Sequence, residues 1–196
     1  MLFRSEISWI NWGIGEGGLE LAEFVRKLIA LRKSFPILRR SRFLSGEYNT
    51  ESEVKDVRWL TPSDTDMDEG QWRDSNARCF GMLMDGRAQA TGIKRRSMDA
   101  TALLALNAYH DVVKFTLPEV VGGHTWRCLM DTNVPNRTEA QLFQSGDEYE
   151  VTGRSLLLFV LEPESTQSVA LNRARAALRA VSETPAPVAM AEAPAE

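Results

Sequence analysis

Thr101-Ala-Leu-Leu-Ala-Leu-Asn-Ala108 and Ser155-Leu-Leu-Leu-Phe-Val-Leu161 decide how this chain is read. Their uninterrupted apolar stretches, residues 103–106 and 156–161, read as strands covered on both faces. Five further short apolar or alternating runs surround them, at residues 54–60, 77–84, 112–117, 125–130 and 149–151. Seven such runs within about 120 residues predict an antiparallel sandwich or barrel. The breaks carry turn chemistry: Pro62, Ser63 and Asp64, then Asp85 and Gly86, residues 107–111, Gly122 and Gly123, and Gly146 and Asp147.

Upstream the period changes. Leu21, Phe24, Leu28, Leu31 and Phe35 recur at spacings of 3, 4, 3 and 4, one stripe of an amphipathic helix predicted over residues 18–34. Glu16, Glu20 and Glu23 stand at its start and Arg32, Lys33, Arg39 and Arg40 at or beyond its end, where each sign complements the peptide dipoles, and Pro36 stops it. A single amphipathic helix cannot bury its stripe alone. Its partner must be the domain that follows or something outside the chain; an uncovered stripe would drive self-association.

Downstream the composition shifts again. Residues 182–196 hold five Ala, three Pro and three Glu and no aromatic, too little apolar area to offset the entropy of ordering. Residues 163–196 are therefore expected to be mostly disordered and dispensable for stability. Within them Leu171, Ala174, Leu178 and Val181 form a narrow stripe that leaves a short helix over residues 169–181 open.

Bulk properties exclude several classes. The 196 residues are 43% hydrophobic and 26% charged, with 23 Lys and Arg against 27 Asp and Glu for a net charge of −4. That is globular usage with no global attraction for nucleic acid. No run reaches the apolar length of a membrane span, and residues 1–4 are too short for an export signal, so a soluble cytoplasmic protein is expected. Cys79 and Cys128 are expected to be buried, reduced thiols.

The motifs are mostly weak. Gly13, Gly15 and Gly18 match a dinucleotide fingerprint before a helix, but Glu16 and Glu20 would put negative charge where pyrophosphate sits, and no acidic residue or βαβ unit follows. Asp64, Asp66, Asp68 and Glu69 suggest a calcium loop, yet Glu69 and Ser75 occupy the places that need Gly and Glu. A solvated acidic turn is expected there. His110 and His124 lack partners at ligand spacing, so neither a metal nor a cofactor is expected. Of five tryptophans, Trp59 and Trp126 fall inside strand runs and read as core, which leaves Trp9, Trp12 and Trp72 as candidate glycan contacts.

An ordered series of longer matches points to a family. Glu6-Ile-Ser-Trp-Ile-Asn-Trp12, Leu28-Ile-Ala-Leu-Arg-Lys33 and Phe35-Pro-Ile-Leu-Arg-Arg40 resemble the last barrel segment of bacterial glycogen-debranching enzymes and isoamylases of the α-amylase superfamily. Val57-Arg-Trp-Leu-Thr-Pro62, Asp66-Met67 with Trp72, Ala77-Arg-Cys-Phe-Gly81, Leu103-Leu-Ala-Leu-Asn-Ala-Tyr-His110, Val113-Lys-Phe-Thr-Leu-Pro118, Trp126, Asp131-Thr132 and Gly153-Arg-Ser-Leu-Leu157 resemble that family's C-terminal domain in the same order. Coverage runs over residues 6–161. At residues 2–5 the sequence departs from the family's usual Asn- and Asp-containing stretch.

The resemblance implies a (β/α)₈ catalytic barrel followed by a β-sandwich, hydrolysing α-1,6 branch linkages of glycogen or limit dextrins in glycogen catabolism; a link to trehalose formation stays open. It places the catalytic carboxylates upstream of residues 6–12, so this chain is expected to hold none of them and to be inactive alone, as a fragment, a misplaced start or a degenerate copy. The expected organisation is a barrel remnant over residues 1–40, a sandwich over 41–162 and a tail over 163–196. A stand-alone α-glucan-binding module and a scaffold pairing with a separate barrel chain are the alternatives.

Overall fold

The computed structural model describes residues 14–40, 43–49, 54–88, 100–135, 141–163 and 169–183. The two apolar runs become neighbouring strands in the middle of an antiparallel sheet. In chain order the strands are β1 (Tyr48–Asn49), β2 (Val54–Lys55), β3 (Val57–Leu60), β4 (Cys79–Met84) and β5 (Ala102–Asn107), then β6 (Val113–Thr116), β7 (Thr125–Asp131), β8 (Gln141–Gln144), β9 (Glu148–Val151) and β10 (Ser155–Glu162). Six of them form one sheet in the order β3-β4-β5-β10-β7-β8, while β6 pairs with β9 and β1 with β2.

Strand β10 explains why its run is apolar throughout. Successive side chains point to opposite faces, and both faces of this sheet are covered. Leu157, Phe159 and Leu161 join Leu60, Leu83, Leu103, Phe115, Leu117 and Val151 in the core between the six-stranded sheet and the β6–β9 layer. Leu158 and Val160 face the other way, packing with Val57, Met84 and Ala102 against helical residues Leu31, Phe35, Ile37, Leu171 and Ala174. The fold is thus a mainly β sandwich with an added helical layer. Trp126 is fully buried as expected, its indole Nε1 donating to the Pro118 carbonyl at 2.9 Å.

Helix α1 (Glu16–Ser34) starts two residues before the predicted boundary, and Pro36 opens a short 3-10 turn through Arg39. Its stripe is not left open. Leu31 and Phe35 are buried, Phe24 and Leu28 are half-buried, and Leu21 stays 62% exposed. The cover comes from the sheet and from a helix, α3 (Val169–Glu183), which packs along α1.

That helix falls on the stretch over residues 169–181 that the sequence left open. Leu171, Ala174 and Leu178, a narrow stripe in isolation, complement the exposed side of α1; Leu171 and Ala174 are buried and Leu178 half-buried. Residues 184–196 lie outside the described part. The run at residues 54–60 is also corrected, splitting at Asp56. That buried carboxylate accepts the Ser45 and Gly46 N–H groups at 3.0 and 2.8 Å and lies 3.6 Å from Arg40, so the chain turns there.

Candidate functional site

Trp72 is the candidate that the structure places best. It sits on a one-turn helix, α2 (Glu69–Arg73), inside what the sequence suggested was only an acidic turn. Asp68 caps it by accepting the Gln71 N–H at 2.8 Å, and the Gln71 side chain accepts the Asp68 N–H at 2.9 Å. This reciprocal pair satisfies two donors that a helix start otherwise leaves unpaired. The Asp-x-x-Gln spacing at 68–71 was the sequence signal for it.

Two backbone bonds fasten the preceding loop to the sheet, Thr61 N–H to Thr65 and Met67 N–H to Trp59, both at 2.8 Å. Trp72 is thereby laid against Trp59 of β3, with ring centroids 5.3 Å apart at 79°, and against Phe80 of β4 at 6.2 Å. Trp59 and Phe80 touch each other at 5.9 Å. Such tilted and edge-to-face pairs are the favoured aromatic geometry. Trp59 and Phe80 are half-buried while half of the Trp72 surface, 50%, is open. Trp9 and Trp12 lie outside the described residues.

The three rings crown a row on the helix-side face. Trp59 pairs with Met82 and Met82 with Leu104, while Phe80 pairs with Leu106 and Leu106 with Leu156. All of these side chains are half-buried, whereas Val57, Met84 and Ala102, further along the same face, are buried under the helices.

A cleft of about 580 Å³ lies between α1, α3 and β7. Its floor includes Phe24, Leu28 and Met130, and its rim carries Lys27, Arg127 and Arg175. These cations are answered locally: Glu162 binds Arg127 and, at 2.9 Å, Arg175, while Lys27 meets Glu23 at 2.9 Å.

Other titratable groups serve the fold. Tyr149 donates its hydroxyl to buried Asp131 at 3.0 Å, and Asp85 grips the Arg87 guanidinium, raising its pKa. Burial lifts the Asp64 carboxyl above its ordinary range, against the pull of Arg58. Asp64 sits in a turn at φ 57 and lines neither the large cleft nor a smaller one of about 270 Å³ beside Tyr48 and Val120. His110 is exposed with its ring 4.1 Å from Tyr109, and His124 is exposed. Among the described residues no three His, Cys, Asp or Glu side chains gather as metal ligands, and no helix is long and apolar enough to cross a membrane.

Neither cysteine is in a disulfide; Cys128 is buried and Cys79 half-buried. Burial pushes the Cys79 thiol up to about 11 from 9.0. The native fold favours the neutral thiol, so its contribution to stability is complete below the unfolded value of 9.0 and declines as pH rises toward about 11. Iodoacetamide at pH 8.5 should alkylate Cys79 several-fold more slowly in the native chain than in urea, because the thiolate is the reactive form. Equal rates, read by mass spectrometry, would remove this account of its environment.

The architecture has a counterpart among known families. The family model described as "Isoamylase, C-terminal" matches residues 56–160, the span that runs from the Asp56 turn through β3 to β10 and includes α2. The chain belongs to the isoamylase C-terminal family. It is similar to the "Glycogen operon protein GlgX homolog" of Mycobacterium tuberculosis and of Mycobacterium bovis, 34% identical over 157 residues, which is 79% of this chain and 22% of each relative. It is also similar to the isoamylase of Flavobacterium sp, 24% identical over 80% of this chain and 20% of that protein, and to the isoamylase of Pseudomonas amyloderamosa, 25% identical over 80% and 19%. The chain spans about a fifth of the length of these curated relatives. The matched segment holds β3 to β9 and most of β10, and α1 and α3 flank it on either side in sequence.

Proposed function

We propose that this chain is the C-terminal sandwich portion of a glycogen-debranching glycoside hydrolase, with α1 as the last helix of a catalytic barrel. Bond cleavage is then the work of carboxylates outside this sequence. One observation carries the reading: the family-matched sheet packs against the C-terminal end of α1 and the turn that follows it, through Leu31, Phe35 and Ile37 on its helix-side face. A sandwich that grips the final helix of a barrel braces the position of that barrel's loops, where substrate is held. The substrate class is a branched α-glucan, the linkage hydrolysed is α-1,6, and the compartment is the cytoplasm, where Cys79 and Cys128 stay reduced.

The chemistry supports a division of labour. Retaining glycoside hydrolysis needs two carboxyl groups about 5 to 5.5 Å apart on opposite roles, one protonated and one ionised. Asp64, held toward its neutral form, sits on a turn outside both clefts. A second reading, a chain that works apart from a covalently joined barrel as a glucan-binding module or a scaffold, draws on the α3 cover over α1, which reduces the need for an external partner.

A domain exchange tests the first reading. The isoamylase of Pseudomonas amyloderamosa, with its matching C-terminal portion replaced by this full chain, should release reducing ends from a branched α-glucan. The same enzyme simply shortened at that junction should lose most of this release. A soluble, folded chimera no more active than the shortened enzyme would contradict the bracing role.

A further inference from the structure

We propose that Trp72, backed by Trp59 and Phe80, is a contact surface for linear α-glucan chains. The proposal rests on the α-glucan reading above and adds to it a binding site within this chain. Three features of the surface carry it. First, the ring is held in place: α2 is capped at both partners of the Asp68–Gln71 pair and its entry is bonded to β3, so Trp72 loses little freedom when a ligand arrives. Second, Trp72 leans on two aromatic neighbours yet remains half open, which offers a flat apolar surface of the kind on which the C–H face of a pyranose stacks.

Third, the surroundings suit a neutral polyhydroxyl ligand. Along residues 66–78 Trp72 is the one large apolar side chain that is exposed, amid Asp68, Glu69, Arg73, Asp74, Asn76 and Arg78. Carboxylates, amides and guanidinium groups can each bond sugar hydroxyls. Four carboxylates against two guanidiniums in this stretch disfavour an anionic partner such as nucleic acid or a phosphorylated sugar. A protein-docking patch would instead surround its aromatic anchor with further exposed apolar area.

Affinity electrophoresis of the full chain through gels containing glycogen, with maltoheptaose and cellohexaose as soluble competitors, tests this. The wild-type chain should be retarded, and maltoheptaose but not cellohexaose should relieve the retardation. Trp72→Ala should weaken the apparent affinity at least tenfold, and Trp72→Phe, which keeps a flat ring, should recover part of it. Near-ultraviolet circular dichroism of each variant, compared with the known loss of one indole, establishes that the rest of the fold is intact. Absence of retardation in the wild type, retardation unchanged by Trp72→Ala, or equal competition by the β-linked oligosaccharide would each overturn the proposal. None of these results touches the bracing role, which the exchange experiment reads through hydrolysis.

Discussion

Deleting residues 165–196 should lower the melting temperature by about 5–15 °C and increase self-association. Leu171 and Ala174 are buried on the helix-side cluster, and Leu178 is half-buried beside them. Their removal forfeits roughly 1.5–3 kcal/mol for a fully buried Leu and uncovers the flank of α1 that they protect. A net loss of about 2–4 kcal/mol in a chain of this size corresponds to that shift in midpoint. The freshly exposed Phe24, Leu28 and Leu31 then form a contiguous apolar strip, which favours association. Calorimetry and light scattering on both chains decide it. A truncated chain that melts within two degrees or so of the full one and stays monomeric at high concentration would mean that α3 contributes nothing to the cover of α1.

Replacing Asn107 should cost still more. This fully buried side chain sits at the end of β5, and its amide nitrogen reaches three carbonyls, those of Asp111 at 2.9 Å, Val151 at 3.0 Å and Thr152 at 3.2 Å. Its amide oxygen accepts the Tyr109 N–H at 2.9 Å. One residue therefore ties the six-stranded sheet to the β9 end of the covering layer and shapes the turn between β5 and β6. Asn107→Ala takes this partner from the Asp111 and Val151 carbonyls and from the Tyr109 N–H, while the Thr152 carbonyl keeps the Ser155 hydroxyl; at about 1–3 kcal/mol for each group cut off from water, a total of roughly 3–5 kcal/mol is expected from urea denaturation. Asn107→Asp should be worse at neutral pH than at acid pH, because an ionised carboxylate would face three carbonyl oxygens, whereas protonation restores one donor. A midpoint unchanged by Asn107→Ala would show that water replaces the amide there.

Much of this architecture is legible in the residues themselves. The apolar continuity of Leu156 to Leu161 foretells a strand covered on both faces, and the spacing from Leu21 to Phe35 foretells α1, because burial acts directly on those periodicities. Strand β8 is not legible: Gln141, Leu142, Phe143 and Gln144 place one half-buried Phe143 among exposed neighbours, so an edge strand is held by its hydrogen bonds to β7 rather than by a pattern of burial. Helix α3 stays open in the sequence for a related reason. Its stripe is too narrow to stand alone and gains its value only from a partner more than a hundred residues away in sequence.

The candidate site divides in the same way. Trp72 could be singled out because it lies outside every regular run, but its contacts with Trp59 and Phe80 depend on how β3 pairs with β4 and on the capped turn at Asp68. Trp59, read from its strand as core, is half-buried beneath Trp72. The raised carboxyl of Asp64 is likewise a property of the folded turn, whose burial outweighs the pull of Arg58, and no local pattern announces it.

The central claim is that this sandwich serves a glucan hydrolase without supplying the cleaving groups, and it meets its most direct test in a reducing-end assay on the purified full chain. Incubated alone with a branched α-glucan, it should release no more reducing ends than a heat-killed control. Release above that control that a single Asp or Glu substitution within this chain abolishes would contradict the account.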